Sequence, residues 1–172
     1  MPLDKASLLD FVGLVDEEIT QKISIIAVGG TAMTLLGLKS STIDVDFDFP
    51  RPEDLAAFND AVNIINPGLR IDKFIGSQIF SVSLPSDYDA MSLPIKTHKP
   101  LKHVKLFALH PLDLVVTKVG RLNDRDVEDI KTCIETYRLT RKQVEKRGLS
   151  VEEAGNERIY RDNLKYVLEH FF

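Results

Sequence analysis

The sequence predicts an α/β (α+β) fold, in which a mixed β-sheet is flanked by helices and a helical extension forms the carboxyl-terminal part. Three observations lead to this prediction. Short β-branched runs alternate with amphipathic segments, one stretch near residue 45 alternates between apolar and acidic residues, and the chain after residue 111 has helical periodicity. We expect residues 1–110 to form the core and residues 111–172 to form a helical part packed on it.

The composition is that of an ordinary globular protein. Of the 172 residues, 44% are hydrophobic and 28% are charged, which is enough for one domain with a sizeable core. The formal net charge of −4 excludes a generic DNA-coating surface, because such a surface needs a basic excess. A local basic groove stays open, since net charge says little about one cleft.

Several features favour a cytoplasmic protein with no membrane partner. The single cysteine, Cys133, has no partner for an internal disulfide and is best explained as an apolar core residue. The first residues, Met1 to Lys5, lack the basic start and apolar run of a signal peptide. No stretch has the ~20 apolar residues that span a bilayer. The sequence does not indicate the oligomeric state.

The chain begins with a helix, a strand and a glycine turn. Apolar residues recur at three- and four-residue steps between Asp4 and Lys22, which predicts an amphipathic helix. The β-branched run from Ile23 to Val28 predicts a buried strand. Gly29-Gly30 ends this strand, and the next residues up to Leu36 predict a short helix.

An acidic strand follows the short helix. From Thr42 to Phe49, apolar and polar residues alternate, so that Asp44, Asp46 and Asp48 share one face with Thr42. The opposite face consists of Ile43, Val45, Phe47 and Phe49. Proline residues directly after position 49 end this strand.

The remaining chain predicts further strands and helices. We expect strands at 69–75, 78–84 and 103–109, and helices at 53–65, 111–119, 123–137, 140–147 and 150–171. The segment from Pro85 to Pro100 contains three prolines and predicts an irregular loop. His110-Pro111 predicts a helix start.

The acidic strand and the glycine turn together indicate a site for a nucleotide and a metal ion. Residues two apart share a face, so the carboxylates of Asp44 and Asp46 would approach to about 5 Å. At an effective dielectric constant near 20 their repulsion is roughly 3 kcal/mol, which a divalent cation would relieve. Gly29-Gly30 lets backbone amides approach a phosphate at the start of a helix. The alternatives are a solvent-facing acidic strand and an ordinary tight turn.

Two segments resemble the DNA polymerase β-type nucleotidyltransferase superfamily. The order Val28-Gly29-Gly30-Thr31-Ala32, then Ser41-Thr42-Ile43-Asp44-Val45-Asp46, is similar to its signature of a Gly-Gly or Gly-Ser turn and an Asp-x-Asp or Asp-x-Glu strand. The segment from Leu109 to Lys118, with Arg125 to Ile130, resembles a helical region of the minimal, AbiEii-like branch, which is associated with toxin–antitoxin systems. The resemblance implies a nucleotidyltransferase fold.

The resemblance also implies roles for the residues of the first segment. Gly29 and Gly30 would bind a nucleoside triphosphate through their amides, and Thr31 would add a hydroxyl. Asp44 and Asp46 would hold one or two Mg²⁺ ions. A substrate hydroxyl would attack the α-phosphorus, and pyrophosphate would leave. The implied acceptors are RNA ends and a hydroxyl side chain of a partner protein.

The helical segment has a second explanation. The resemblance implies that Lys118 binds a phosphate of the nucleotide, whereas the alternative is an exposed helix lysine. Arg125 and Asp129 lie one helical turn apart, so they can also pair on the surface.

The two segments do not identify the third carboxylate of the superfamily's site. Active members of the superfamily supply it from a later strand, where this chain has Ser81 and Ser83. We choose Asp72 on the preceding strand, because a strand holds a ligand more rigidly than a loop. Asp87 and Asp89 in the following loop are the other candidates, and an ordinary solvated aspartate is the alternative for Asp72.

Two functions of different classes follow from this sequence. The first is a metal-dependent nucleotidyltransferase that moves a nucleoside monophosphate from a triphosphate to an RNA or protein hydroxyl. The second is a catalytically inactive, antitoxin-like module that keeps the fold and binds a partner protein through apolar residues of its helical tail. A fold without nucleotide or metal is a third alternative.

Overall fold

The computed structural model describes all 172 residues, which form the following elements. In chain order they are β1 (Leu3–Asp4), α1 (Lys5–Glu18), β2 (Ile23–Ala27), α2 (Gly29–Leu35), β3 (Ser41–Thr42), β4 (Val45–Phe49), α3 (Pro52–Ile65), β5 (Ile71–Ile75), β6 (Gln78–Ile79), β7 (Val82–Ser83), α4 (Tyr88–Met91), β8 (Leu93–Pro94), β9 (Val104–Ala108), α5 (Pro111–Val119), α6 (Asp124–Tyr137), α7 (Arg141–Leu149), β10 (Glu152–Glu153) and α8 (Glu157–His170).

Contacts divide the chain into two units. The first comprises Met1–Gly76 and Ser92–Ala108, and the second comprises Ser77–Met91 and Leu109–Phe172. The segment that contains β6, β7 and α4 therefore groups with the carboxyl-terminal helices.

The first unit is built on a mixed sheet with the strand order β5-β4-β2-β9-β8. Strands β4 and β5 are parallel, as are β2 and β9, whereas β2 runs antiparallel to β4 and β8 antiparallel to β9. Helices α1, α2 and α3 pack against this sheet, and β1 pairs with β3 beside it. The predicted mixed α/β fold is confirmed.

An aromatic cluster determines which face of β4 is covered by helices. The ring of Phe58 on α3 packs against Phe47 and Phe49 of β4, with ring centroids 5.8 and 4.9 Å apart. Phe11 on α1 meets Phe58 edge-on at 6.4 Å. Burying each ring stabilises the fold by roughly 1.5–3 kcal/mol. The acidic residues of β4 consequently point away from Phe58.

The second unit combines a small antiparallel sheet, in the order β10-β7-β6, with helices α5 to α8. A buried ion pair links α5 to α7: the Arg147 guanidinium donates to both carboxylate oxygens of Asp113, at 2.5 and 2.9 Å. Burial raises the pKa of Asp113, and Arg147 opposes that shift. The predicted start of α5 is confirmed, since the Nδ1 of His110 accepts the Leu112 amide at 3.1 Å.

Four predicted elements differ from the structure. The strand predicted at 78–84 is divided into β6 and β7, because Phe80 and Ser81 form a turn between them. The acidic strand begins at Val45, because Ile43 and Asp44 form a bend between β3 and β4. The segment 85–100, predicted as an irregular loop, contains α4 and β8. The predicted helix 150–171 begins only at Glu157, because residues 152 and 153 pair with β7. The short pairings follow from tertiary contacts, which local sequence patterns do not reveal.

The carboxylate of Asp16 on α1 anchors the start of β9. It is 6% exposed and accepts the amides of Lys102, His103 and Val104 at 2.7–2.9 Å. Burial by itself raises the pKa of Asp16, but these donors outweigh burial and hold the pKa below its usual value. The carboxylate therefore stabilises the native state once ionised.

We predict that Asp16→Ala lowers the free energy of unfolding by about 2–3 kcal/mol, because three amides, one of them buried, lose a charged acceptor. The lowered native pKa means that this stabilisation is complete above the unfolded-state pKa near 3.9 and disappears as pH falls through the native value. Urea unfolding of wild type and variant between pH 7 and pH 3 measures both effects. Asp10→Ala, an exposed change on the same helix, is the control, and equal losses for both variants would refute the anchor.

Candidate functional site

The parallel pairing of β4 with β5 brings Asp72 beside the Asp-Val-Asp segment. In the register of the two strands, Asp46 lies opposite Asp72, and Val45 lies opposite Ile71. Residues opposite each other on parallel strands point to the same face, and neighbouring strands are about 4.8 Å apart. Asp46 and Asp72 therefore share the face that points away from the aromatic cluster.

The guanidinium of Arg70 lies between two of the carboxylates. Its Nη2 is 3.5 Å from Oδ2 of Asp72, and its Nε is 4.0 Å from Oδ1 of Asp44. The side chain of Arg70 is 72% exposed, and those of Asp44 and Asp72 are 38% and 39% exposed. Asp44, in the bend before β4, and Asp72, on β5, thus face one cation and are both open to solvent.

Hydrogen bonds join the glycine turn to the acidic segment. The hydroxyl of Thr31, in the first turn of α2, accepts the amide of Asp46 at 2.9 Å and donates to the carbonyl of Asp44 at 3.2 Å. The amide of Val28, directly before the turn, donates to the carbonyl of Asp46 at 3.0 Å. The hydroxyl of Thr42 also donates to the carbonyl of Asp44, at 3.0 Å. These bonds hold the turn and the acids in one local structure.

Both glycines of the turn meet a steric requirement. Gly29 has φ +53°, a left-handed backbone that disfavours side chains. A Cβ atom on Gly30 would lie 2.8 Å from the hydroxyl oxygen of Thr42. The hydroxyl would have to move, and its hydrogen bond to the carbonyl of Asp44 would break. The Gly-Gly pair therefore allows α2 to start close to the acidic segment.

Asp44 and Asp46 have the ligand atoms that could hold a magnesium ion. No group of three or more His, Cys, Asp or Glu side chains in the structure has the spacing of a metal site. Mg²⁺ in phosphate-transfer sites is bound by one or two carboxylates together with substrate phosphates, so a complete protein cage is unnecessary. The hard oxygen donors of Asp44 and Asp46, on a segment next to a glycine turn, suit that arrangement.

Lys118 lies in the second unit and is buried. It is 2% exposed, and its ammonium donates to Asp129 at 2.8 Å and to Asp126 at 3.4 Å. Arg121 donates to the same oxygen of Asp126 at 3.0 Å. The alternative of an exposed lysine is therefore wrong, and a contact between Lys118 and a phosphate stays a prediction. Asp129 is buried too, so it is not available for a surface pair.

The two loop candidates for a third carboxylate belong to the second unit. Asp87 accepts a hydrogen bond from Arg147 at 2.8 Å, and Asp89 accepts the amide of Ala90 at 2.7 Å. Asp72, by contrast, lies in the same sheet as the Asp-Val-Asp segment.

Sequence reasoning missed Arg70 and the positions that Thr31 and Thr42 take. Arg70 precedes Asp72 by two residues, so strand periodicity alone would have placed both side chains on one face. The hydroxyl of Thr31 makes two bonds to the acidic segment, which give it a positioning role, and its contact with a nucleotide stays a prediction. No sequence signal predicts that pairing.

No helix of the structure combines the length and apolar character needed to cross a bilayer.

The glycine turn, bonded to an Asp-Val-Asp segment beside a mixed sheet, agrees with the resemblance to nucleotidyltransferases that the sequence shows. The chain belongs to the family described as "Nucleotidyltransferase of unknown function (DUF6036)", which it matches over residues 7–171. No curated protein matches the sequence significantly.

A solved structure has a similar fold. It is the crystal structure of an antigenic nucleotidyltransferase-like protein from Paracoccidioides brasiliensis, with a TM-score of 0.53 and 13% sequence identity. The similarity covers 98% of this chain and 90% of that chain. At this identity the likeness concerns the fold alone.

We predict that Thr31→Val destabilises the first unit by about 1–3 kcal/mol, because the buried amide of Asp46 loses its acceptor while the side-chain shape is kept. Thr31→Ser keeps the hydroxyl and is the matched control. Urea unfolding measures both variants. The outcome that would contradict this is a Thr31→Val variant as stable as wild type and a Thr31→Ser variant that is less stable. The hydroxyl would then not be the group that joins the turn to the acidic segment.

Proposed function

We propose that this protein is a metal-dependent nucleotidyltransferase, which transfers a nucleoside monophosphate from a triphosphate to a hydroxyl of an RNA end or of a partner protein. The observation that carries the proposal is the register of β4 and β5. It aligns Asp72 with Asp46 on one face of the sheet, and Asp44 lies in the bend directly before β4, next to the glycine turn. The nucleotidyltransferase family to which the chain belongs supports the same reaction class.

Each residue of the site then has a distinct task. The amides of Gly29 and Gly30 bind the triphosphate, and Asp44 and Asp46 hold Mg²⁺ together with phosphate oxygens. When bound, the ion stabilises the charge that develops on the phosphates. Asp72 is half-exposed, so its carboxylate is open to an acceptor hydroxyl and can receive the proton of that hydroxyl as it attacks the α-phosphorus.

The charge of the protein limits the acceptor. A net charge of −4 disfavours a large RNA-binding surface but is compatible with an RNA end or a protein hydroxyl. The helical segment around Lys118 resembles the AbiEii-like branch, so we also propose a toxin–antitoxin setting in the cytoplasm, where the nucleotide substrates are available.

The proposal predicts that the Asp44→Asn/Asp46→Asn double variant loses binding of Mg²⁺–nucleotide by at least about 30-fold, because both metal carboxylates are gone. Isothermal titration calorimetry with each of the four Mg²⁺–nucleoside triphosphates measures this loss. Asp10→Asn/Asp60→Asn is the control, since it removes two exposed charges from the same unit. Equal heats from both double variants would place the nucleotide elsewhere.

Catalysis is tested separately from binding. We predict that Asp72→Asn lowers transfer of an α-³²P-labelled nucleotide to RNA or protein about 100-fold or more, whereas nucleotide binding changes less than threefold. Asp89→Asn, an exposed change in the second unit, is the control. Nucleotide binding without metal-dependent transfer by the wild type would instead favour the inactive, partner-binding module.

A further inference from the structure

We infer that Arg70 is an exchangeable counter-charge of the site: it neutralises Asp44 and Asp72 without substrate and binds a triphosphate oxygen when Mg²⁺–nucleotide enters. This inference rests on the proposed function, because it assigns a nucleotide to the same face of β4 and β5.

The charges of the site require a cation. Asp46 and Asp72 lie opposite each other on β4 and β5, Asp44 lies in the bend before β4, and Arg70 is in contact with Asp44 and Asp72. Lys73, the next basic residue along β5, follows Asp72 directly and therefore points to the opposite face, where its ammonium donates to Asn59 at 2.8 Å. Arg70 thus neutralises charge on the acidic face, and Lys73 does not.

The contacts of Arg70 are loose enough to exchange. Distances of 3.5 and 4.0 Å are longer than the 2.7–2.9 Å of strong charge-assisted hydrogen bonds, and the side chain is 72% exposed. Exposed pairs of this kind contribute little to stability, so releasing them does not disturb the fold. The guanidinium also offers several donors in a fixed fork, which suits phosphate oxygens as well as carboxylates.

Arg70 should consequently affect metal and nucleotide in opposite directions. A divalent cation that arrives alone meets the positive charge of Arg70 beside Asp44, so its affinity is reduced. A metal–triphosphate complex brings negative oxygens, to which Arg70 can transfer its donors. The side chain therefore favours the loaded complex over the bare ion.

The first experiment measures the bare ion. Titration of Mn²⁺ without nucleotide, followed by electron paramagnetic resonance, should show about tenfold tighter binding to Arg70→Ala than to wild type, as expected for removing one charge about 5 Å from a divalent ion in water. Lys73→Ala removes the same charge from the opposite face and should change the affinity less than twofold. If Arg70→Ala and Lys73→Ala behave alike, Arg70 is not a counter-charge of the site.

The second experiment measures the loaded complex by calorimetry, with the Mg²⁺–nucleotide that wild type binds. Arg70→Ala should bind this Mg²⁺–nucleotide at least about tenfold more weakly than wild type does. The affinity of Arg70→Lys should lie between those of wild type and Arg70→Ala. A change in the same direction as for Mn²⁺, or none, would overturn the exchange. If wild type binds no Mg²⁺–nucleotide, the proposed function and the exchange both fail, while the Mn²⁺ titration still decides whether Arg70 is a counter-charge.

Discussion

The hydroxyl of Thr31 is the contact on which the geometry of the site depends. It accepts the amide of Asp46 and donates to the carbonyl of Asp44, so one side chain of α2 holds both ends of the Asp-Val-Asp segment. Because Thr31 is fully buried, solvent does not compete for these bonds. The glycines before it allow the helix to come this close, and the bend at Asp44 follows, since that carbonyl is bonded to hydroxyls of Thr31 and Thr42.

The aromatic cluster supplies the complementary constraint, which is the choice of face. Side chains alternate along a strand, so a shift of one residue in β4 would turn its acids toward the helices and its rings away from them. Phe47 and Phe49 are fully buried against Phe58, and that packing excludes the shifted register. The core of the first unit therefore determines the face to which Asp46 points. The burial of Phe47 and Phe49 and the orientation of Asp46 both follow from the alternation of side chains along β4.

The parts that could be predicted from the sequence are those with a strong local period. The faces of β4, the buried strand β2 and the bounds of α5 follow from alternation, β-branching and a proline start. The break at Asp44, the two-residue strands and the burial of Lys118 could not be predicted, because each depends on a partner distant in the chain, such as Thr31 or Asp129. The choice of Asp72 depended on strand rigidity alone. Its alignment with Asp46 required the pairing of β4 with β5, which periodicity does not specify.

Two arginines pair with carboxylates in different ways. The pair of Arg147 is buried in the second unit, whereas the contacts of Arg70 are exposed and can be exchanged. Arg147 is buried and donates to both oxygens of Asp113 at 2.5 and 2.9 Å, an arrangement whose disruption would leave a buried charge uncompensated. Arg70 is mostly exposed and meets its carboxylates only at 3.5 and 4.0 Å. Under the proposed function the site accepts a cation, so it cannot hold its own counter-charge as tightly as the core does. The loose geometry of Arg70 therefore gives the clustered carboxylates a counter-charge that can be released without cost to the fold.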